Sequence, residues 1–214
     1  MSEPVEARYQ AILKRYWGYD SFRPLQLDAI KSIASGQDTL VLMPTGGGKS
    51  IIYQVPTLAS TGVCIVITPL IALMKDQVDR LRKHRILAEA IHAGRSHREI
   101  DRILDNCIYG DVKFLYISPE RIDSEMFRMR CARMDVALIA VDEAHCISQW
   151  GYDFRPSYLQ IARLRDLCPN TPILALTASA TPKVAEDIMY RLRFDKPNIK
   201  RMSFARSNLS YVVR

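Results

Sequence analysis

The apolar run Leu40-Val41-Leu42-Met43 breaks at Pro44, and the residues just beyond it limit the fold more than any other stretch. Thr45 leads into Gly46-Gly47-Gly48, then Lys49-Ser50, then a helical-looking Ile51-Ile52-Tyr53-Gln54. Strand, glycine loop and helix start together form the setting of a phosphate-binding loop. Glycines let backbone N–H groups turn inward around an anion, and a helix N-terminus adds partial positive charge. In that role Lys49 lies along the β- and γ-phosphates and the Ser50 hydroxyl ligates Mg²⁺. The strict spacing asks for glycine at position 43, where this chain has Met43. A glycine-rich helix cap that binds nothing is the competing reading, and an acidic strand end far downstream weighs against it.

That end is Asp142-Glu143, which closes Val136-Ala137-Leu138-Ile139-Ala140-Val141, the most apolar run in the chain. Hydrolysis of a nucleoside triphosphate needs a divalent cation to offset phosphate charge and a group that orients or deprotonates water. Asp142 is placed to hold Mg²⁺ through water, and Glu143 to act on the attacking water. Adjacent acids are common on solvated surfaces; behind six apolar residues and alongside a Gly-Lys-Ser loop they are not.

Further apolar runs fall at 63–67, 86–91, 113–117 and 173–176, separated by helical patterns over 5–17, 26–35, 49–58, 70–82, 97–107, 157–168 and 182–192. Thr68-Pro69 and Ser118-Pro119 each read as a capping hydroxyl followed by a first-turn proline, and Thr181-Pro182 starts a further helix. One more strand begins within 199–214. Near-continuous apolar strands alternating with helices predict an α/β domain, a mostly parallel sheet covered on both faces. Ligands gather outside the carboxyl ends of such strands, so one rim should collect the glycine loop, Thr68, Ser118, Asp142 and Thr177.

With 48% hydrophobic and 25% charged residues, the 214-residue chain can bury a sizeable core and is not disordered. A formal charge of +7 favours a polyanionic partner. Five cysteines without a C-x-x-C pair fit a reduced interior. Cys146 beside His145 has no further cysteine or histidine at ligand spacing, so no zinc is expected. Without a membrane-length apolar stretch or a signal-peptide core, the expected location is cytoplasmic, meaning nucleoid in a bacterium and nucleus in a eukaryote, with no membrane partner.

Three segments carry a resemblance. Asp142-Glu143-Ala144-His145, Thr177-Ala178-Ser179-Ala180-Thr181 and the Met43–Ser50 loop resemble a superfamily-two helicase. The flanking segments resemble the RecQ family of ATP-dependent DNA helicases: Tyr19, Phe22-Arg23-Pro24 and Gln26; Thr68 to Gln77; and above all Cys146-Ile147-Ser148-Gln149-Trp150-Gly151-Tyr152-Asp153-Phe154-Arg155-Pro156. The match runs from about residue 8 to 195. Leu25 stands where that pattern has glycine, and Phe204 to Leu209 only approximates its linker.

The resemblance implies a three-layer RecA-like P-loop domain over 39–200, with an adenine-recognition segment in the packed helices 1–38 and a linker starting at 201–214. ATP and Mg²⁺ are the implied cofactors. Thr45, Gly46, Gly47, Gly48, Lys49 and Ser50 would cradle the phosphates, with Tyr19 stacking on adenine, Gln26 reading its edge and Arg23 orienting the nucleotide. Taken alone, Tyr19 and Gln26 read as helix-start packing. His145 would bridge to Thr177–Thr181; a lone histidine is more often a satisfied structural one.

The implied partner is single-stranded DNA, or its junction with duplex. Thr68, Ser118, Thr177, Ser179 and Thr181 would hold its backbone, and Gln149, Trp150, Phe154 and Arg155 would couple it to hydrolysis. Aromatic residues among Gly151, Asp153 and Pro156 do not sit in a periodic core segment, and bases stack on such rings. Arg80, Arg82, Lys83 and Arg85 read as a solvated helix face. The resemblance also implies 3′-to-5′ translocation and a second RecA-like domain of the same polypeptide supplying an arginine finger. The sequence stops after one such domain, so these residues alone are expected to bind ATP weakly and not to unwind duplex. An RNA helicase lobe of the DEAD or DEAH type is the nearest alternative, disfavoured by the aromatic loop. A stand-alone nucleotide- or DNA-binding module is the third.

Overall fold

The structure, a computed structural model, describes residues 5–202. Among the described residues seven strands form one sheet: β1 (Thr39–Leu42), β2 (Val63–Ile67), β3 (Ala88–Ile91), β4 (Phe114–Ile117), β5 (Val136–Val141), β6 (Ile173–Thr177) and β7 (Ile199–Arg201). Their order is β3-β4-β2-β5-β6-β1-β7, and every pairing is parallel. Parallel strands need crossovers that cover both faces, which is why every residue of β1, β2, β4 and β6 is buried.

Alternation along β1 divides the core in two. Val41 and Met43 point into the layer built by α1 (Val5–Trp17), α2 (Gln26–Ala34), α3 (Lys49–Ala59) and α4 (Ile71–Lys83). Leu40 and Leu42 point into the opposite layer, built by α5 (His97–Tyr109), α6 (Glu125–Cys131), α7 (Leu164–Leu167) and α8 (Pro182–Arg191). This is the three-layer α/β architecture expected from the alternating pattern.

Three local readings change. Residues 157–168 do not form an α-helix: Pro156–Arg163 is a 3₁₀ stretch that passes into the single turn of α7. Tyr158, Ile161 and Leu164 are all fully buried, and their three-residue spacing matches the 3₁₀ repeat better than 3.6. Ser118-Pro119 opens only the 3₁₀ turn Pro119–Arg121, without a side-chain cap; Ser124, whose Oγ accepts from Phe127 N–H at 3.3 Å, caps α6 instead. Thr68-Pro69 does not cap α4, which starts at Ile71 behind Leu70. Of 199–214, Ile199–Arg201 is the edge strand β7, and the linker expected over 201–214 falls almost wholly outside the described residues. Thr181 does cap its helix, accepting from Val184 N–H at 3.3 Å.

The amino ends of β1 and β6 are clamped by one buried carboxylate. Asp38 Oδ1 accepts from Ile173 N–H at 2.8 Å, and Oδ2 pairs with Arg165, whose Nη1 donates to Thr171 O at 2.9 Å. The two side chains are 9% and 14% exposed. Removing one partner of such a pair strands the other charge away from water. Arg165→Ala is therefore expected to lower unfolding stability by about 3–5 kcal/mol in urea titration. Lys14→Ala, which removes a pair exposed on both sides, should leave the midpoint nearly unchanged.

Candidate active site

Two strand ends build the site. β1 runs into the glycine loop, where Gly46 and Gly48 have φ of 79° and 85°, values that cost glycine little and other residues much. Gly47 is required by space: a Cβ there would lie 2.5 Å from Met43 Cγ and 2.9 Å from Pro44 O. Met43, which replaces the pattern's glycine, is thus accommodated by a buried side chain lying under Gly47. α3 follows directly; no side chain caps its start, and Ile51 N–H donates to Gly48 O at 3.2 Å.

β5 ends in the acids. Asp142 N–H donates to Ile67 O at 2.8 Å, and Asp142 Oδ1 accepts from Glu143 N–H at 3.0 Å. Glu143 adopts a left-handed backbone, φ 48° and ψ 45°, which turns the chain abruptly into the 3₁₀ turn Ala144–Ile147. For a non-glycine residue that conformation is uncommon and is held by its surroundings. Tyr158, which the sequence does not single out, anchors this corner: its hydroxyl donates to Asp142 O at 3.0 Å.

β6 lies between β1 and β5, so lysine and acids start about 10 Å apart at the sheet spacing. Their side chains face the same opening. One cleft of about 640 Å³ is lined by Thr45, Gly46, Gly48, Lys49, Ser50, Asp142 and Glu143, together with Tyr19, Arg23 and Gln26. Burial is the main force on Asp142, raising its pKa from 3.8 to about 6; Glu143 adds to the rise, and the Lys49 charge opposes it. Lys49 Nζ donates to Met43 O at 3.2 Å. Tyr53, buried behind the loop, meets the Tyr116 hydroxyl at 3.1 Å.

Tyr19, Gln26 and Arg23, the residues expected to contact the nucleotide's base and orient it, lie beside the glycine loop. Tyr19 is exposed, as a stacking surface must be. Gln26 is 3% exposed and both ends of its amide are engaged. Nε2 donates to Gly48 O at 3.0 Å, while Oε1 accepts from Arg23 N–H at 2.8 Å. Arg23 Nη1 donates to Gly46 O at 2.7 Å. Both residues therefore brace the glycine loop itself. Leu25 between them has φ 74°, the left-handed region in which glycine is unstrained, so the one departure in this segment falls on a position that favours glycine.

A second group surrounds His145, which is buried. Thr177 Oγ1 donates to Ser179 O at 3.2 Å and so accepts from His145 Nδ1–H at 3.0 Å; Glu143 Oε2 lies 3.4 Å from the same nitrogen. Burial lowers the His145 pKa, against the pull of Glu143 and Asp153. Tyr152 stacks on the imidazole with centroids 4.6 Å apart. Trp150, Ser179 and Thr181 line a shallow surface cleft with His145, and Lys183 Nζ sits 3.1 Å over the Trp150 ring. Lys183 carried no signal in the sequence, since a lysine in a helix's first turn is ordinary. Gln149 is exposed; Phe154 is half-buried, as is Arg155, paired with Asp153 at 3.0 Å. Three expected backbone-holding hydroxyls are not on that surface. Thr68 is 1% exposed with no partner for Oγ1, Thr177 is fully buried on His145, and Ser118 is half-buried away from the cleft.

A parallel three-layer sheet, with a glycine loop on one strand and paired acids two strands away, defines a RecA-like P-loop domain. A family model described as DEAD/DEAH box helicase matches residues 23–188, and the chain belongs to that family. It is 48% identical over 208 residues to the ATP-dependent DNA helicase RecQ of Bacillus subtilis, covering 96% of this chain and 35% of that protein. To RecQ of Haemophilus influenzae it is 42% identical over 203 residues, covering 95% and 33%. The chain thus spans about a third of the length of these relatives. Among solved structures, the Hef helicase domain of Pyrococcus furiosus matches with a TM-score of 0.64 at 21% identity, over 84% of this chain and 38% of that one. The DUF1998 helicase MrfA bound to DNA matches with a TM-score of 0.72 at 18% identity, over 94% and 30%. Those two likenesses speak to the fold. Together the comparisons make this a helicase domain homologous to the RecQ DNA helicases. No helix among the described residues is long and apolar enough to cross a membrane.

The raised pKa of Asp142 has a measurable consequence. A carboxyl titrating at about 6 when folded and 3.8 when unfolded supports the fold below pH 3.8, and that support is lost as pH rises through 6. Without divalent metal, Asp142→Asn should therefore be more stable than the parent at pH 7.5, by about 2–3 kcal/mol. The gain should vanish near pH 4, as read by urea unfolding at both values.

Proposed function

We propose that the chain is the first motor lobe of an ATP-dependent 3′-to-5′ DNA helicase, binding Mg-ATP and single-stranded DNA. The observation that carries the reading is the single cleft onto which the glycine loop, Lys49, Ser50, Asp142 and Glu143 all open. Loop glycines of positive φ and the start of α3, which no side chain caps, suit a polyphosphate. Mg²⁺ bound at Ser50 and Asp142 would supply charge neutralisation between phosphate oxygens. In this scheme Lys49 leaves Met43 O for the phosphates, Glu143 orients the attacking water, and Tyr19 stacks on the base. Gln26 and Arg23 set the loop's shape, and any reading of adenine by Gln26 requires it to release Gly48 O.

The surface of Trp150, Tyr152, Ser179 and Thr181 is the candidate DNA side. Stacking on exposed rings is worth about 1–3 kcal/mol per base without sequence readout. His145 joins the two sides, since its Nδ1 faces both Glu143 and Thr177. A second RecA-like domain would close over the cleft and supply an arginine finger.

Lys49→Ala is expected to weaken Mg-ATP binding at least about tenfold, or about 1.4 kcal/mol, in a fluorescent-nucleotide titration. Undiminished affinity would count against the cleft as the nucleotide site. In the protein carrying the second domain, single-stranded DNA should stimulate ATP hydrolysis more than single-stranded RNA does. Trp150→Ala combined with Phe154→Ala should abolish that stimulation while leaving the DNA-independent rate.

A further inference from the structure

Beside the cleft, the ring nitrogen of His145 that faces neither Glu143 nor Thr177 meets two further potential ligand atoms. His145 Nε2 lies 3.8 Å from Cys146 Sγ, which in turn lies 3.6 Å from Asp153 Oδ2. All three atoms fall within 4.8 Å of one another. Around tetrahedral zinc, with Zn–S near 2.3 Å and Zn–N or Zn–O near 2.1 Å, ligand atoms sit about 3.3–3.7 Å apart. The observed spacings reach that geometry through side-chain movements of about 1 Å. By cysteine and histidine spacing alone Cys146 has no metal partner beyond His145; the 148–155 loop returns an aspartate to the same place.

The histidine is oriented as a ligand. Because Thr177 Oγ1 is committed as a donor to Ser179 O, the imidazole proton lies on Nδ1, and the Nε2 lone pair faces Cys146. Glu143 Oε2 backs Nδ1 at 3.4 Å, which reproduces the carboxylate–histidine–metal arrangement that fixes a ligand's tautomer and raises its basicity. His145 also lines the shallow surface cleft next to Trp150 and Tyr152, so a path for entry exists. The competitor is Arg155, whose Nε and Nη2 donate to Asp153 Oδ2 at 3.3 and 3.0 Å. That pair is 36% and 42% exposed, and half-exposed ion pairs are weak.

We propose that His145 Nε2, Cys146 Sγ and Asp153 Oδ2 form a binding site for a thiophilic divalent cation of the Zn²⁺ or Cd²⁺ class, pinning the aromatic loop to the acid-bearing turn. Binding displaces the thiol proton to solvent and involves no redox step; water completes the coordination. Mg²⁺, which takes six hard oxygen ligands, does not compete. On the proposed hydrolytic reading, a cation on Nε2 strengthens the Nδ1–H hold on Glu143 and slows hydrolysis, so the site would be inhibitory.

The test needs neither nucleotide nor DNA, and so stands or falls apart from the proposed function. Zn²⁺ binding is measured by equilibrium dialysis, with Co²⁺ as the spectroscopic probe. The chain should take up about one Zn²⁺ at micromolar concentration and show a thiolate-to-cobalt charge-transfer band. Cys146→Ala should lose the band, and Asp153→Asn should weaken binding about 10–100-fold, whereas Cys131→Ala should change neither. If Cys146→Ala fails to fold by circular dichroism, Asp153→Asn on the half-exposed loop decides. No saturable uptake, or uptake unchanged by Asp153→Asn, would overturn the site. Zn²⁺ that binds there but leaves hydrolysis by the protein with its second domain unaffected would overturn the inhibitory coupling.

Discussion

Two backbone hydrogen bonds at the carboxyl rim of the sheet set the positions of everything chemical in this molecule. Met43 N–H donates to Thr177 O at 3.1 Å, and Asp142 N–H donates to Ile67 O at 2.8 Å. The first fixes where β1 lets go and the glycine loop begins; the second fixes where β5 lets go and the acids begin. Slippage between them is disfavoured, because a one-residue shift would move every side chain of a strand into the opposite apolar layer and undo the packing of both. The interposed β6 sets the distance that Lys49 and Asp142 must bridge, and its last residue, Thr177, is the one His145 binds. Sheet register and site geometry are thus one constraint.

That constraint explains where burial is tolerated at a cost. Asp142 is held in a partly dry corner by the Tyr158 hydroxyl and the Ile67 carbonyl, which raises the energy of its charged form. Glu143 is held in a strained backbone conformation one residue later. Neither serves stability. Both are what a rim must accept to aim two carboxylates into one cleft, and the surrounding apolar layers supply the compensating burial.

Much of this was legible in the residues because it rests on local rules. Alternation of apolar runs and helical patterns announces a covered parallel sheet, and the glycine loop and Asp142-Glu143 sit at strand ends whatever the details of packing. What the sequence withheld depends on tertiary partners. Thr68, Ser118 and Thr181 look alike as hydroxyl-proline pairs, yet only Thr181 caps, because burial at position 68 and a tight 3₁₀ turn at 119–121 intervene. The 156–163 stretch shows an apolar repeat of three that a 3.6-residue template absorbs without complaint. Gln26 reads equally well as a nucleotide contact or a packing residue; only its bonds to Gly48 O and Arg23 N–H reveal a brace. Asp153 becomes a neighbour of Cys146 only because Arg155 N–H donates to Cys146 O at 2.8 Å and folds the loop back.

The central claim is that one rim of one sheet holds both the phosphate loop and the acids of a single nucleotide site. Hydrogen–deuterium exchange with and without Mg²⁺ and a non-hydrolysable ATP analogue tests it most directly. Joint slowing at the amides of Gly46 to Ser50 and of Asp142 to His145, two segments about ninety residues apart in sequence but adjoining here, is the predicted result. Protection confined to one segment, or appearing only elsewhere on the molecule, would contradict it.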